Sequence, residues 1–140
     1  MGILSRSEAD QLASLTKGLT DVPFVWLRKP EIGLVMVRGR AGGTGAIFNL
    51  GEMTVTRCAL QLEDGTIGHG YVQGRNKQHA GRAALVDALL QQQGGHHDGL
   101  LAMVIAPLKT REVERTGAQG RKAAATKVDF FTMVRGGDPE

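Results

Sequence analysis

The sequence predicts an α+β fold: two layers, with an antiparallel β-meander of about four strands covered by helices. Three observations carry that expectation. Residues 53–63 alternate, with Thr54, Thr56, Cys58, Leu60 and Leu62 on one face and Val55, Arg57, Ala59 and Gln61 on the other. Asp64-Gly65 follows, a strong hairpin signal, and 66–73 return as the partner strand. Beyond that strand, Ala80, Ala83, Ala84, Leu85, Ala88 and Leu89 recur at the spacing of one helix face.

The elements follow in order. Ser5-Arg6-Ser7-Glu8 reads as a capping box, and Leu12, Leu15 and Leu19 continue a narrow amphipathic helix over about 6–17, closed by Gly18. Residues 24–28 read as a strand that Lys29-Pro30 ends. Gly33 reopens the chain, and 34–38 form a second strand paired with the first as a hairpin. Gly39, Gly42, Gly43 and Gly45 make 39–45 a loop, with Arg40 inside it. In the strand 66–73, Ile67, His69, Tyr71 and Gln73 face one way and Gly68, Gly70 and Val72 the other. The two glycines leave room for something to lie close against the backbone. Asn76 can cap the helix that runs to about Gln92, and Gly94-Gly95 stops it.

The stretch 96–99 reads as a loop and 100–108 as an extended segment, with a helical start near Leu100 as the alternative. Thr110 is placed to cap a last helix reaching about Thr126, in which Gly117 and Gly120 each cost roughly 1 kcal/mol relative to Ala. The tail over 128–136 is apolar. Phe130, Phe131 and Met133, with Arg135 beside them, are expected to dock on a partner surface.

Size and composition narrow the function. A chain of 140 residues fits one domain over 1–140, and 22% charged against 41% hydrophobic residues is ordinary for a globular core. A net charge of +3, with no cluster of Lys/Arg among stacking aromatics, argues against nucleic acid. Cys58 is the one cysteine, so no internal disulfide forms, and it reads as a small buried hydrophobe. No apolar run approaches a membrane span or a secretory signal, so the expected compartment is the cytoplasm.

No G-x-S-x-G elbow, H-E-x-x-H or Walker A loop occurs, and no catalytic residue stands out. The glycine loop 39–45 lacks the Lys-Ser/Thr of a phosphate-binding P-loop. His69 reads as structural. His96-His97-Asp98 reads as a glycine-flanked loop rather than a metal site, so no metal is expected. The informative stretch is Gly74-Arg75-Asn76-Lys77-Gln78-His79, where a strand end meets a helix N-terminus. Free N–H groups there favour an anion, and Arg75, Lys77, His79 and Arg82 add positive charge that opposes the helix dipole. The arrangement invites either a phosphate or a partner's carboxylate. Arg40 and Arg57 are candidates for the same contact. An autonomous phosphate- or nucleotide-binding module is the alternative to a partner-dependent subunit.

Several blocks carry a family resemblance. They are Arg40-Ala41-Gly42-Gly43-Thr44-Gly45, Met53-Thr54-Val55-Thr56-Arg57, Leu62-Glu63-Asp64-Gly65-Thr66, the run from Tyr71 to Ala80, Ile105-Ala106-Pro107-Leu108 and the run from Val128 to Gly136. Read together from about Gly33 onward, they resemble the PhnG family, subunits of the bacterial carbon–phosphorus lyase system. The resemblance implies a subunit role in phosphonate breakdown, with PhnH, PhnI and PhnJ as core partners. With PhnH, PhnI and the ATPase-like PhnL, it implies formation of α-D-ribose 1-methylphosphonate 5-triphosphate from ATP and methylphosphonate. It implies no cofactor in this chain; ATP is a substrate of the assembly. It supplies no catalytic residue. The short N-terminal helix, Gly81 inside a helix and the 94–99 stretch depart from the family pattern.

Overall fold

A computed structural model describes residues 1–128 of the chain. Two short helices, α1 (Gly2–Arg6) and α2 (Ala9–Leu15), precede a three-stranded antiparallel sheet of β1 (Phe24–Arg40), β2 (Ile47–Leu62) and β3 (Ile67–Gln73). Helices α3 (Lys77–Gln91), α4 (Gly95–Leu100) and α5 (Ala106–Ala125) follow, with a π-helical turn over Leu101–Ile105 before the last. The strand order is β1-β2-β3, a simple meander.

The α+β class holds, but the described strands number three rather than about four. The apolar runs 24–28 and 34–38 are one strand. They do not pair with each other: both pair with β2, from Phe24↔Leu62 to Arg40↔Ile47. Proline is tolerated because β1 is an edge strand and its register shifts between Arg28 and Glu31, around Pro30.

The block from Thr54 to Gln91 folds as its pattern dictates. Thr56, Cys58, Leu60 and Leu62 are buried, as is Val72 of β3. What lies close against Gly68 and Gly70 is α3. A Cβ on Gly68 would sit 2.1 Å from the Ala84 carbonyl oxygen, and one on Gly70 would sit 2.1 Å from that of Ala80. Ala80, Ala83, Ala84 and Ala88 are fully buried, so helix backbone meets sheet backbone with methyl groups between. Gly81 has a similar reason. A Cβ there would come within 3.2 Å of the Trp26 ring, which packs edge-on against Phe24 with centroids 4.9 Å apart. Leu4, Leu12, Leu100, Val104 and Leu108 close the core from the termini of the described region.

The N-terminus corrects the capping-box expectation. Ser5 lies inside α1 and donates to the Gly2 carbonyl at 2.8 Å; the break falls at extended Ser7, and Glu8 is the N-cap of α2. The expected helix 6–17 is thus two pieces. At the other end, 96–99 lies in α4 and 100–108 is helical, not extended. The apolar residues there were misleading because Val104 and Leu108 are buried on one side of a helix. The wide π-turn stands just ahead of Pro107, whose ring cannot follow an ordinary α-turn. Thr110 is therefore internal and donates to the Ala106 carbonyl at 3.1 Å.

Candidate functional site

The strand–helix junction is built as the sequence suggests. Gly74 takes φ +91°, a left-handed conformation that an L side chain rarely adopts. Its N–H donates to the Thr54 carbonyl at 2.9 Å, and its carbonyl accepts from Thr56 Oγ1 at 2.7 Å. Both Gly74 backbone groups are thereby occupied within the fold. Asn76 caps α3: its Oδ1 accepts from the His79 N–H at 2.9 Å. Arg75, Asn76, Lys77 and Gln78 are exposed, and among the described residues neither Arg75 nor Lys77 meets a carboxylate.

The other candidates lie elsewhere. His79 is buried, and its Nε2 is 3.0 Å from the Leu4 carbonyl oxygen and 3.2 Å from Ser7 Oγ. A carbonyl only accepts, so Nε2 carries the proton. Burial pushes the pKa below 6.5, the Leu4 carbonyl pulls it up and Arg82 pushes it down. His79 thus ties α3 to α1 and is turned away from the exposed first turn. Arg57 stands on the open face of the sheet, donating from Nε to Glu31 Oε1 at 2.7 Å; Arg28 shares that carboxylate at 3.5 Å. Arg40 is at the far end of β1, donating to the Gly45 carbonyl at 3.3 Å. Of the seven residues singled out, only Gly74, Arg75, Asn76 and Lys77 come together. Phe130, Phe131, Met133 and Arg135 lie outside the described residues.

Cys58 is buried, and desolvation pushes its thiol up to about 11. No group of three metal-ligating side chains gathers among the described residues, and none of their helices is long and apolar enough to cross a membrane. A largely apolar cleft of about 630 Å³ opens between α2, the end of β2 and the π-turn, lined by Leu15, Leu19, Leu62, Leu89, Leu100 and Met103.

One feature escaped the sequence reading. Beyond Val55↔Gln73 no third strand follows among the described residues, and 34–40 with 47–54 continue as a two-stranded arm. At about 3.3 Å per residue it extends roughly 23 Å. Ile32, Leu34, Met36, Ile47, Phe48 and Leu50 are exposed at its base and along it, Leu34 by 63%. The signal was present in Leu34-Val35-Met36-Val37: a continuous apolar run suits a strand covered on both faces. Helix α5 is similar. After Leu108 it buries none of its residues, and Arg6 pairs with Glu112 to hold its first half to α1.

These features define a small α+β fold with a broad exposed apolar surface along β1 and β2. The chain belongs to the PhnG family: the model of phosphonate metabolism protein PhnG matches residues 1–136. It is also 41% identical, over 99% of its length and 88% of the relative's, to the alpha-D-ribose 1-methylphosphonate 5-triphosphate synthase subunit PhnG of Rhizobium meliloti (strain 1021).

Proposed function

We propose that this chain is a subunit of α-D-ribose 1-methylphosphonate 5-triphosphate synthase, acting in the cytoplasm with PhnH-, PhnI- and PhnL-type subunits and a PhnJ-type lyase. The observation that carries the reading is the 41% identity across 99% of the chain to a subunit of that name. In this reading ATP and methylphosphonate are substrates of the assembly, and the bond-making groups belong to a neighbour. The chain contributes shape and positive charge. Arg75 and Lys77, exposed at a capped helix start, contact a phosphorylated substrate or acidic residues of the PhnI-type subunit. Arg57 contributes only if Glu31 releases it. The apolar tail, with Phe130, Phe131, Met133 and Arg135, is a further docking segment.

Reconstitution tests this. Omitting the chain from a mixture of the other subunits, ATP and methylphosphonate should abolish the phosphonate product seen by phosphorus NMR. Full product without it would end the proposal. Arg75→Glu/Lys77→Glu should lower product at least tenfold, through lost assembly or lost turnover; undiminished product would make the junction plain surface.

A further inference from the structure

We infer that the β1–β2 arm is a docking finger, inserted into an apolar, acid-rimmed groove on another subunit of the same assembly. This rests on the subunit reading above.

Strand pairing separates the arm from the body. Inside the body β2 has a neighbour on each side, from Val55↔Gln73 to Gln61↔Ile67 on β3 and across to β1. Outside it, among the described residues, each strand pairs only with the other. A lone two-stranded hairpin is marginal in water, and this one carries its apolar residues outward. Alternation and register put Ile32, Leu34, Met36 and Ile47 on one face. Phe48 and Leu50 are on the other, where Leu50 crosses Gly39 so closely that a Cβ there would come within 2.6 Å of Leu50 Cδ1. All six are between 46% and 63% exposed. Apolar side chains on both faces suit a groove rather than a flat surface.

Charge selects the occupant. Arg38 and Arg40 continue the row of Leu34 and Met36 toward the tip, and Glu52 is the one acidic residue of the arm and its connecting loop. A second copy would double that positive excess and neutralise none of it. A groove with carboxylates at its mouth meets both guanidiniums while its floor covers the apolar row.

The test uses the co-expressed assembly, with the tag on this chain. A photo-reactive benzoylphenylalanine replacing Met36 should, on irradiation, give one adduct whose mass is this chain plus a different subunit. An adduct of twice this chain's mass, or no adduct in an intact assembly, overturns the inference. Leu34→Asp/Ile47→Asp should reduce recovered partner at least tenfold while leaving the melting midpoint of the isolated chain unchanged. Partner recovered at the wild-type level overturns the inference. Should the unsubstituted chain recover no partner at all, the subunit reading fails first and the docking finger with it.

Discussion

The two halves of the β1–β2 hairpin meet different surroundings. From Val55 to Leu62, β2 runs between two strands and packs on α3, and its inward side chains are almost fully buried. From Ile47 to Met53 it has one neighbouring strand among the described residues, and Ile47, Phe48 and Leu50 are open to solvent. Both halves carry large apolar side chains, Leu60 and Leu62 in one and Ile47, Phe48 and Leu50 in the other. What differs is whether the described residues supply a cover. The inner half is a core, and the outer half is apolar surface awaiting one. The same contrast divides α3, which buries eight of its residues, from α5, which buries one.

The sharpest way to break the inner half is at Gly68. Gly68→Val places branched carbon where even a Cβ would lie 2.1 Å from the Ala84 carbonyl oxygen. The expected loss is about 3 kcal/mol or more, read as a fall in the urea midpoint. Gly33, opposite Val55 where the arm leaves the body, has nothing within 4 Å of a built Cβ, so Gly33→Ala should change stability by less than about 0.5 kcal/mol. Equal losses at the two glycines would erase the contrast.

Smaller effects sharpen it. Asn76→Ala removes the cap of α3 and should cost about 1 kcal/mol. His79 gives a pH dependence. Its folded pKa lies below 6.5, so the unfolded chain binds the proton more tightly and acid favours unfolding. Stability from this group is complete above about 6.5, falls as pH drops toward the folded pKa and then levels. In His79→Gln that decline should disappear from the thermal midpoints measured across the range; an unchanged decline would assign it to other groups. Last, Cys58 with a thiol at about 11 should react with iodoacetamide far more slowly in the folded chain than in urea, by mass spectrometry. Fast alkylation would mean the inner half opens readily.

How much was legible follows from where each interaction partner sits. The stretch from Thr56 to Gln91 was readable because its determinants are local: alternation, Asp64-Gly65, the Asn76 cap three residues from the His79 N–H, and a helix stripe. Pro30 misled because its effect depends on β1 being an edge strand, which no local pattern states. His79 misled for a related reason. Its neighbours Arg75 and Lys77 make it look like part of a basic cluster, yet its ring is claimed by the Leu4 carbonyl, 75 residues away. Arg40 and Arg57 share a charge with Arg75, but strand register sends them to the arm's tip and the sheet's open face. Residues 100–108 failed because an apolar run of that length fits a buried strand and a buried helix side equally well.

In this account the chain folds around an inner half it covers itself and carries an outer half that another subunit covers. Backbone hydrogen exchange, measured on the free chain and on the assembly, tests it most directly. In the free chain, amides of 56–62 should exchange far more slowly than those of 34–40 and 47–54. In the assembly, the arm's amides should slow toward the inner half's rates. An arm already as protected as the inner half in the free chain, or one equally fast in both, would contradict it.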